Sequence, residues 1–167
     1  MSILLFKYFM LFLRNLFIVQ FYSNYYMHSQ NNKNKILEFI KSKKIGILAT
    51  ISPKGKPEAA VVEYVATDKL EIIFNTFSTY RKYKNLKHNP NVAFVIGWDE
   101  ISVQYQGHAI EAKGNLEDLC KKIHSAKIKH KTKFSAMPTI RYFKIKPRWI
   151  RYIDYSKKPW EVFEVSF

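Results

Sequence analysis

One cysteine, Cys120, excludes any disulfide framework within the chain and points to a reducing compartment, the cytoplasm. It sits in a helical pattern, Asn115-Leu-Glu-Asp-Leu-Cys-Lys-Lys-Ile-His124, with no paired base, so it reads as a packed structural thiol rather than a nucleophile. Five glycines and six prolines exclude a fibrous or low-complexity chain. Acidic side chains are scarce as well: 13 Asp and Glu stand against 28 Lys and Arg, a net charge of +15. No carboxylate pair, Ser/His/Asp order or metal-spaced Cys/His set argues for hydrolytic or metal chemistry. His108, His124 and His130 do not make a ligand cluster, and no metal site is expected.

A long apolar run is also missing. Residues Ile3 to Tyr22 are mostly apolar, but Lys7, Arg14, Asn15 and Gln20 divide them into short pieces. Such pieces do not comfortably cross a bilayer core, which takes roughly 20 apolar residues. No small-residue cleavage site comes after them. Three readings stay open: a membrane-associating helix, a signal anchor, or a stretch upstream of a start at Met27. The third is preferred, because the residues after Met27 read as a whole domain. The chain is therefore divided into an extension, 1–31, and a domain, 32–167.

What is abundant is aromatic: 13 Phe, 11 Tyr and 3 Trp in 167 residues, a bias that suits pleated, half-buried strands. Asn34 is positioned to cap a short helix bearing Ile36, Leu37, Phe39 and Ile40 on one face. A strand over Ile45–Ser52 leads into the turn Ser52-Pro-Lys-Gly-Lys56. Strands over Glu58–Ala66 and Leu70–Phe77 come next, then a basic helix over Thr79–His88 stopped by Asn89-Pro90. Further strands are expected over Asn91–Trp98, Ile101–Ala112, Arg141–Asp154 (with Pro147 at an edge or bulge) and Trp160–Phe167. Gly114 and Asn115 open a helix to about Ala126. Regularly spaced strands with short turns and few helices predict a mainly β fold, a barrel. Lys and Arg recur from Lys121 to Arg151 with no Asp or Glu between, which is either a solvated surface or an anion-binding one.

The stretch from Ile73 to Trp98 carries an aromatic-polar-Thr step (Phe74-Asn-Thr76), a basic pair opening a helix (Arg81-Lys82), then Asn89-Pro90 and a strand. With the preceding Gly55-Lys-Pro-Glu-Ala-Ala-Val-Val62, the Gly107 strand and Ile145-Lys-Pro-Arg-Trp-Ile-Arg-Tyr-Ile-Asp154, it resembles the pyridoxamine 5′-phosphate oxidase-like family over residues 34 to 154. The resemblance implies a six- to seven-stranded antiparallel Greek-key split barrel that binds FMN. It also implies a homodimer with flavin at the interface and a small-molecule redox substrate. The phosphate then falls to Arg81 and Lys82, with Tyr80 and Thr76 nearby. The ring is expected along the second strand, at Ala60, Val61, Val62 and Glu63, with Asn75 and Thr76 completing the shelf. Gln104 or Ser102 is expected to reach in from a neighbouring strand, and Trp98 and Trp160 from either subunit.

Two departures narrow this. The basic residues that in the oxidases help hold FMN on the second strand correspond here to Ala60 and Val65. The C-terminal Arg-x-His element that grips the vitamin substrate has no counterpart before Phe167. The family fold is implied, but not that substrate. An FMN-dependent oxidoreductase of unknown substrate leads. The alternatives are a non-catalytic haem or deazaflavin binder, with His130 as a candidate axial ligand, and last a nucleic-acid binder using Lys121 to Arg151. Membrane contact enters only through residues 1–26.

Overall fold

A computed structural model of the chain describes residues 18, 20, 27–128 and 137–167. Most of the apolar extension and the His130 segment lie outside the described residues. The chain divides into two units, Met1–Asn34 and Lys35–Phe167. In the first, residues 27–34 are already helical, so Asn34 is not a cap; its Oδ1 accepts a 3.1 Å hydrogen bond from Gln30 one turn earlier. Among the described residues no helix is long and apolar enough to cross a membrane.

The second unit opens with helix α1 (35–42), whose Ile36 and Ile40 are fully buried. Among the described residues seven strands build the rest: β1 (Ile45–Ile51), β2 (Pro57–Ala66), β3 (Ile72–Phe77), β4 (Asn91–Ile96), β5 (Ile101–Glu111), β6 (Ile140–Asp154) and β7 (Glu161–Ser166). Helix α2 (Arg81–His88) joins β3 to β4, and α3 (Asn115–Lys127) comes after β5. All pairings are antiparallel, in the order β3-β2-β1-β4-β5-β6-β7, and β3 also pairs with β6. That last pairing closes six strands into a barrel, with β7 as an added strand. The mainly β split barrel expected from the sequence is the fold observed.

Local chemistry explains the elements. In the β1–β2 hairpin Gly55 takes φ +74°, and its N–H donates to the Ser52 carbonyl at 2.8 Å. The ladder starts later than the sequence pattern suggests at β3, because Leu70 adopts φ +59° and pairing begins at Ile72. This conformation costs a non-glycine residue roughly 1–3 kcal/mol. The buried Leu70 side chain holds it, together with a carbonyl 3.1 Å from the Tyr105 hydroxyl. Pro147 sits at a bulge: Gly107 faces Pro147 and Gln106 faces Trp149, leaving Arg148 between. Pairing of β6 with β3 ends at Ile145 and with β7 begins at Trp149, so the missing proline N–H costs no ladder bond.

Inside the barrel, Phe74 and Phe143 stack with centroids 5.5 Å apart, and Tyr64 meets Phe94 edge-on at 5.4 Å. Each such side chain contributes about 1.5–3 kcal/mol by leaving water. The buried phenols of Tyr64 and Tyr105 satisfy their polar ends. Tyr64 donates to the Ile40 carbonyl at 2.8 Å, which ties α1 to the barrel, and burial pushes its pKa up. On the other side of β3 and β6, α3 packs Cys120 against Ile73, Ile140 and Tyr142. Cys120 is fully buried, as a structural thiol should be. His124, one turn further on, is also buried, with its ring edge-on to Tyr142 at 5.7 Å.

Packing generates two predictions. A Cβ on Gly46 would collide with the Phe94 ring, which is fully buried against Tyr64. Gly46→Ala should therefore lower the unfolding free energy by about 2 kcal/mol, read from urea denaturation. The second concerns acid. Burial draws the His124 pKa below the ordinary imidazole value, although Glu63 nearby pulls the other way. The unfolded chain then binds the proton more tightly than the folded one. The contribution is complete above the ordinary pKa of about 6.5 and is lost as pH falls through it, at no more than about 1.4 kcal/mol per pH unit. Urea unfolding between pH 7 and 5 should show this loss, and His124→Phe should flatten it.

Candidate functional site

The site begins with a pairing that stops early. Strands β2 and β3 pair only at Tyr64–Phe74, Val65–Ile73 and Ala66–Ile72. Beyond that, β3 follows β6, from Ile72–Ile145 to Phe77–Ile140. Residues 57–63 of β2 are therefore laddered on one side only, to β1. The Tyr64 N–H donates to the Lys44 carbonyl on the β1 side at 2.9 Å. By strand alternation, the N–H and C=O groups of Val61 and Glu63 point the other way, toward the side β3 has left.

A cleft of about 370 Å³ lies at this split, lined by Thr50, Glu58, Ala59, Ala60, Thr79, Tyr80, Arg81 and Lys82. Arg81 is the first residue of α2, and 84% of its side chain is exposed; its Nη1 lies 3.6 Å from Glu58 Oε1. Lys82 holds its ammonium 5.0 Å over the Tyr80 ring, and burial lowers its pKa. No carboxylate pairs with it among the described residues. Tyr80 occupies the N-cap position in an extended conformation with its ring edge-on to Phe77 at 5.0 Å, and no side chain caps the helix. The positive end of α2 and two cations thus share one opening, a setting suited to an anion.

Beneath Arg81 lies a polar clamp. Asn85 is buried, and its Nδ2 donates to Thr50 Oγ1 at 3.0 Å and to Glu58 Oε2 at 2.9 Å. Thr50 Oγ1 in turn lies 3.4 Å from the Glu58 carbonyl. The Asn85 bond fixes the Glu58 carboxylate inside the cleft, facing Arg81.

Of the residues picked from the sequence, Ala60, Tyr80, Arg81 and Lys82 come together in this cleft. Val61 and Glu63 lie on the exposed outer face of β2 beside it, whereas the Val62 side chain is buried in the barrel core. By the same alternation the Val62 N–H and C=O point to β1 opposite Gly46, so this position offers a ligand neither its side chain nor its backbone polar groups, unlike the expectation from the sequence. Asn75 is half-buried opposite Tyr142 on β3. Thr76 is buried, and its Oγ1 has no hydrogen-bond partner among the described atoms. Gln104 and Ser102 are not on a strand neighbouring the site: β5 is separated from β2 by β1 and β4. At about 4.8 Å per strand, Gln104 stands about 14 Å from β2 along the sheet within one chain. Trp98 and Trp160 are both exposed, so neither is a core residue.

The basic stretch from Lys121 to Arg151 is not one continuous patch among the described residues. Lys127 donates to the α1 carbonyl of Lys41, Lys144 pairs with Glu71 at 3.0 Å, and Arg151 lies 3.7 Å from Glu164. Sequence reasoning missed Thr50, Glu58, Thr79 and Asn85. Asn85 was reachable, since it stands four residues after Arg81 on one helix face. Glu58 carried no local signal, because its role depends on where β3 turns away.

This barrel with a cationic cleft at its split defines a class. The family model for pyridoxamine 5′-phosphate oxidase matches residues 33–154, and the chain belongs to that family. It is 30% identical over 138 residues to general stress protein 26 of Bacillus subtilis, spanning 79% of this chain and 95% of that protein. It is 33% identical over 70 residues to the pyridoxine/pyridoxamine 5′-phosphate oxidase of Burkholderia mallei, covering 42% of this chain and only 30% of the oxidase. The fold is shared with a haem-binding protein from Mycobacterium smegmatis (TM-score 0.66, 17% identity, 77% of this chain and 55% of that one).

Proposed function

We propose that this chain is an FMN-binding flavoprotein of the cytoplasm, an oxidoreductase acting on a small molecule. The observation that carries the reading is the meeting of Arg81, Lys82 and the open backbone edge of β2 around one cleft. Arg81 is largely free of protein contacts, and Lys82 is desolvated without a carboxylate partner among the described residues. A terminal phosphate offers both cations charge-assisted bonds, and Arg81 can grip it bidentately. The N–H and C=O groups of Val61 and Glu63 are oriented to meet polar atoms along a flat ring. Ala60 leaves room for its close approach. The unpartnered Thr76 hydroxyl is a further donor close to α2 in sequence.

Bound FMN supplies hydride acceptance and donation at its ring. This chain's residues bind its phosphate, orient its ring and exclude water from one face of it. The chain covers only 30% of the vitamin B6 oxidase it matches, and that enzyme's substrate is not proposed.

The same reading includes a homodimer. The outer sheet face sets Val61, Ile47 and Val95 in one cross-strand row and Ala59, Ala49 and Ala93 in the next. Val61 is 65% exposed there. A second copy covering this face hides small apolar residues from water and can bring its own Gln104 to a ring on β2.

Purified protein should show flavin absorbance or take up added FMN. A Soret band would favour haem instead, and a colourless protein that ignores FMN would end the flavin reading. Arg81→Ala with Lys82→Ala should weaken FMN at least about tenfold by fluorescence titration, the order expected when charge-assisted bonds are lost. In sedimentation equilibrium the protein should run as a dimer, and Val61→Lys should shift it to monomer. An unchanged dimer with Val61→Lys would place the interface elsewhere.

A further inference from the structure

The cleft that collects two cations also contains a carboxylate, and that carboxylate is held in place. Glu58 has three attachments that do not involve ligand: Asn85 Nδ2 at 2.9 Å, Arg81 Nη1 at 3.6 Å, and a backbone carbonyl 3.4 Å from Thr50 Oγ1. Asn85 and Thr50 are both buried, so the clamp is fixed from below, while Arg81 at its mouth is solvated. A side chain that merely filled this wall would not need its charge presented to the phosphate-seeking arginine.

Resting on the flavin reading above, we propose that Glu58 is the residue that sets phosphate selectivity in this cleft, as an internal anion competing with the ligand's phosphate for Arg81. In the unloaded protein Arg81 faces Glu58. On loading, Arg81 turns from a carboxylate to a phosphate, and Glu58 stays behind, pinned by Asn85. The incoming dianion therefore meets Arg81 and Lys82 less the charge of Glu58, a net of about one positive charge rather than two. The preference for FMN over its phosphate-free form, riboflavin, is correspondingly small. With Ala60 and Val65 in place of cations on β2, no other basic side chain of that strand offsets Glu58.

Glu58→Gln is the direct test, because an amide keeps the shape and still accepts from Asn85. Full-length wild type and variant, with folding checked by circular dichroism, are titrated with FMN and with riboflavin by flavin fluorescence. The variant should bind FMN about tenfold more tightly at low ionic strength, the order expected on removing one like charge in a half-exposed cleft. The gain should shrink as salt rises, since the effect is electrostatic. Riboflavin affinity should not change. If Glu58→Gln does not fold, Glu58→Ala is titrated in its place with the same expectation.

Equal FMN affinity in wild type and variant, or an equal gain for riboflavin, overturns the role of Glu58. If Arg81→Ala still weakens FMN in that case, the flavin reading survives it. If neither protein binds either flavin, the flavin reading falls and the role of Glu58 falls with it.

Discussion

The structure depends on one competition, between β2 and β6 for the partnership of β3. A strand of six residues cannot ladder fully with two neighbours that diverge. Here β3 gives three residue pairs to β2 and its whole length to β6. Choosing β6 closes the barrel and buries Phe74 against Phe143. It also strips one edge of β2 of its partner, and a bare strand edge in a packed domain is costly unless something covers it. The residues after β3, from Ser78 through α2, come back across this gap and bring Tyr80, Arg81 and Lys82 with them. The cleft is thus a consequence of barrel closure rather than a separate construction.

Electrostatics then decides what the gap can hold. A wall of Thr50, Ala59 and Ala60 is small and nearly neutral, so the charged groups at the mouth dominate. Lys82 is desolvated, which makes its ammonium more costly and an anionic partner more favourable. Arg81 is solvated and close to Glu58, so its interaction there is weak, of the order of exposed ion pairs at about 0–1 kcal/mol. A contact that weak can be exchanged for a better one. Asn85, by contrast, is buried and donates to both the Glu58 carboxylate and Thr50, and it keeps that carboxylate from leaving.

Much of this was legible in the sequence. Alternation and turn residues predicted every strand, and the basic pair before Asn89-Pro90 placed Arg81 and Lys82 at the head of a helix. Positions that depend on long-range pairing were not legible. Leu70 looked like the start of a strand because what holds its positive φ, burial of its side chain and a hydrogen bond from Tyr105, comes from other parts of the barrel. Gln104 looked like a neighbour of the site because strand order is not sequence order: β1 and β4 come between it and β2. Glu58 reads locally as an ordinary strand carboxylate, since nothing around it in the chain reveals that Asn85 will reach it from 27 residues away.

The fate of Val65 shows why this cleft relies on so few cations. Val65 pairs with Ile73, whose side chain is buried with Cys120 beneath α3. Val65 itself is buried, so a lysine or arginine there would have to carry its charge past packed apolar groups, at a desolvation cost of several kcal/mol. An apolar residue is what this local packing accepts. Ala60 is different: it lines the cleft and is only partly buried, so a basic side chain is physically admissible at that position. The absence of charge at 65 follows from how α3 packs, whereas the absence of charge at 60 does not. Position 60, on the same strand and in the same cleft as Glu58, is therefore where the charge of this site is adjustable without disturbing the barrel.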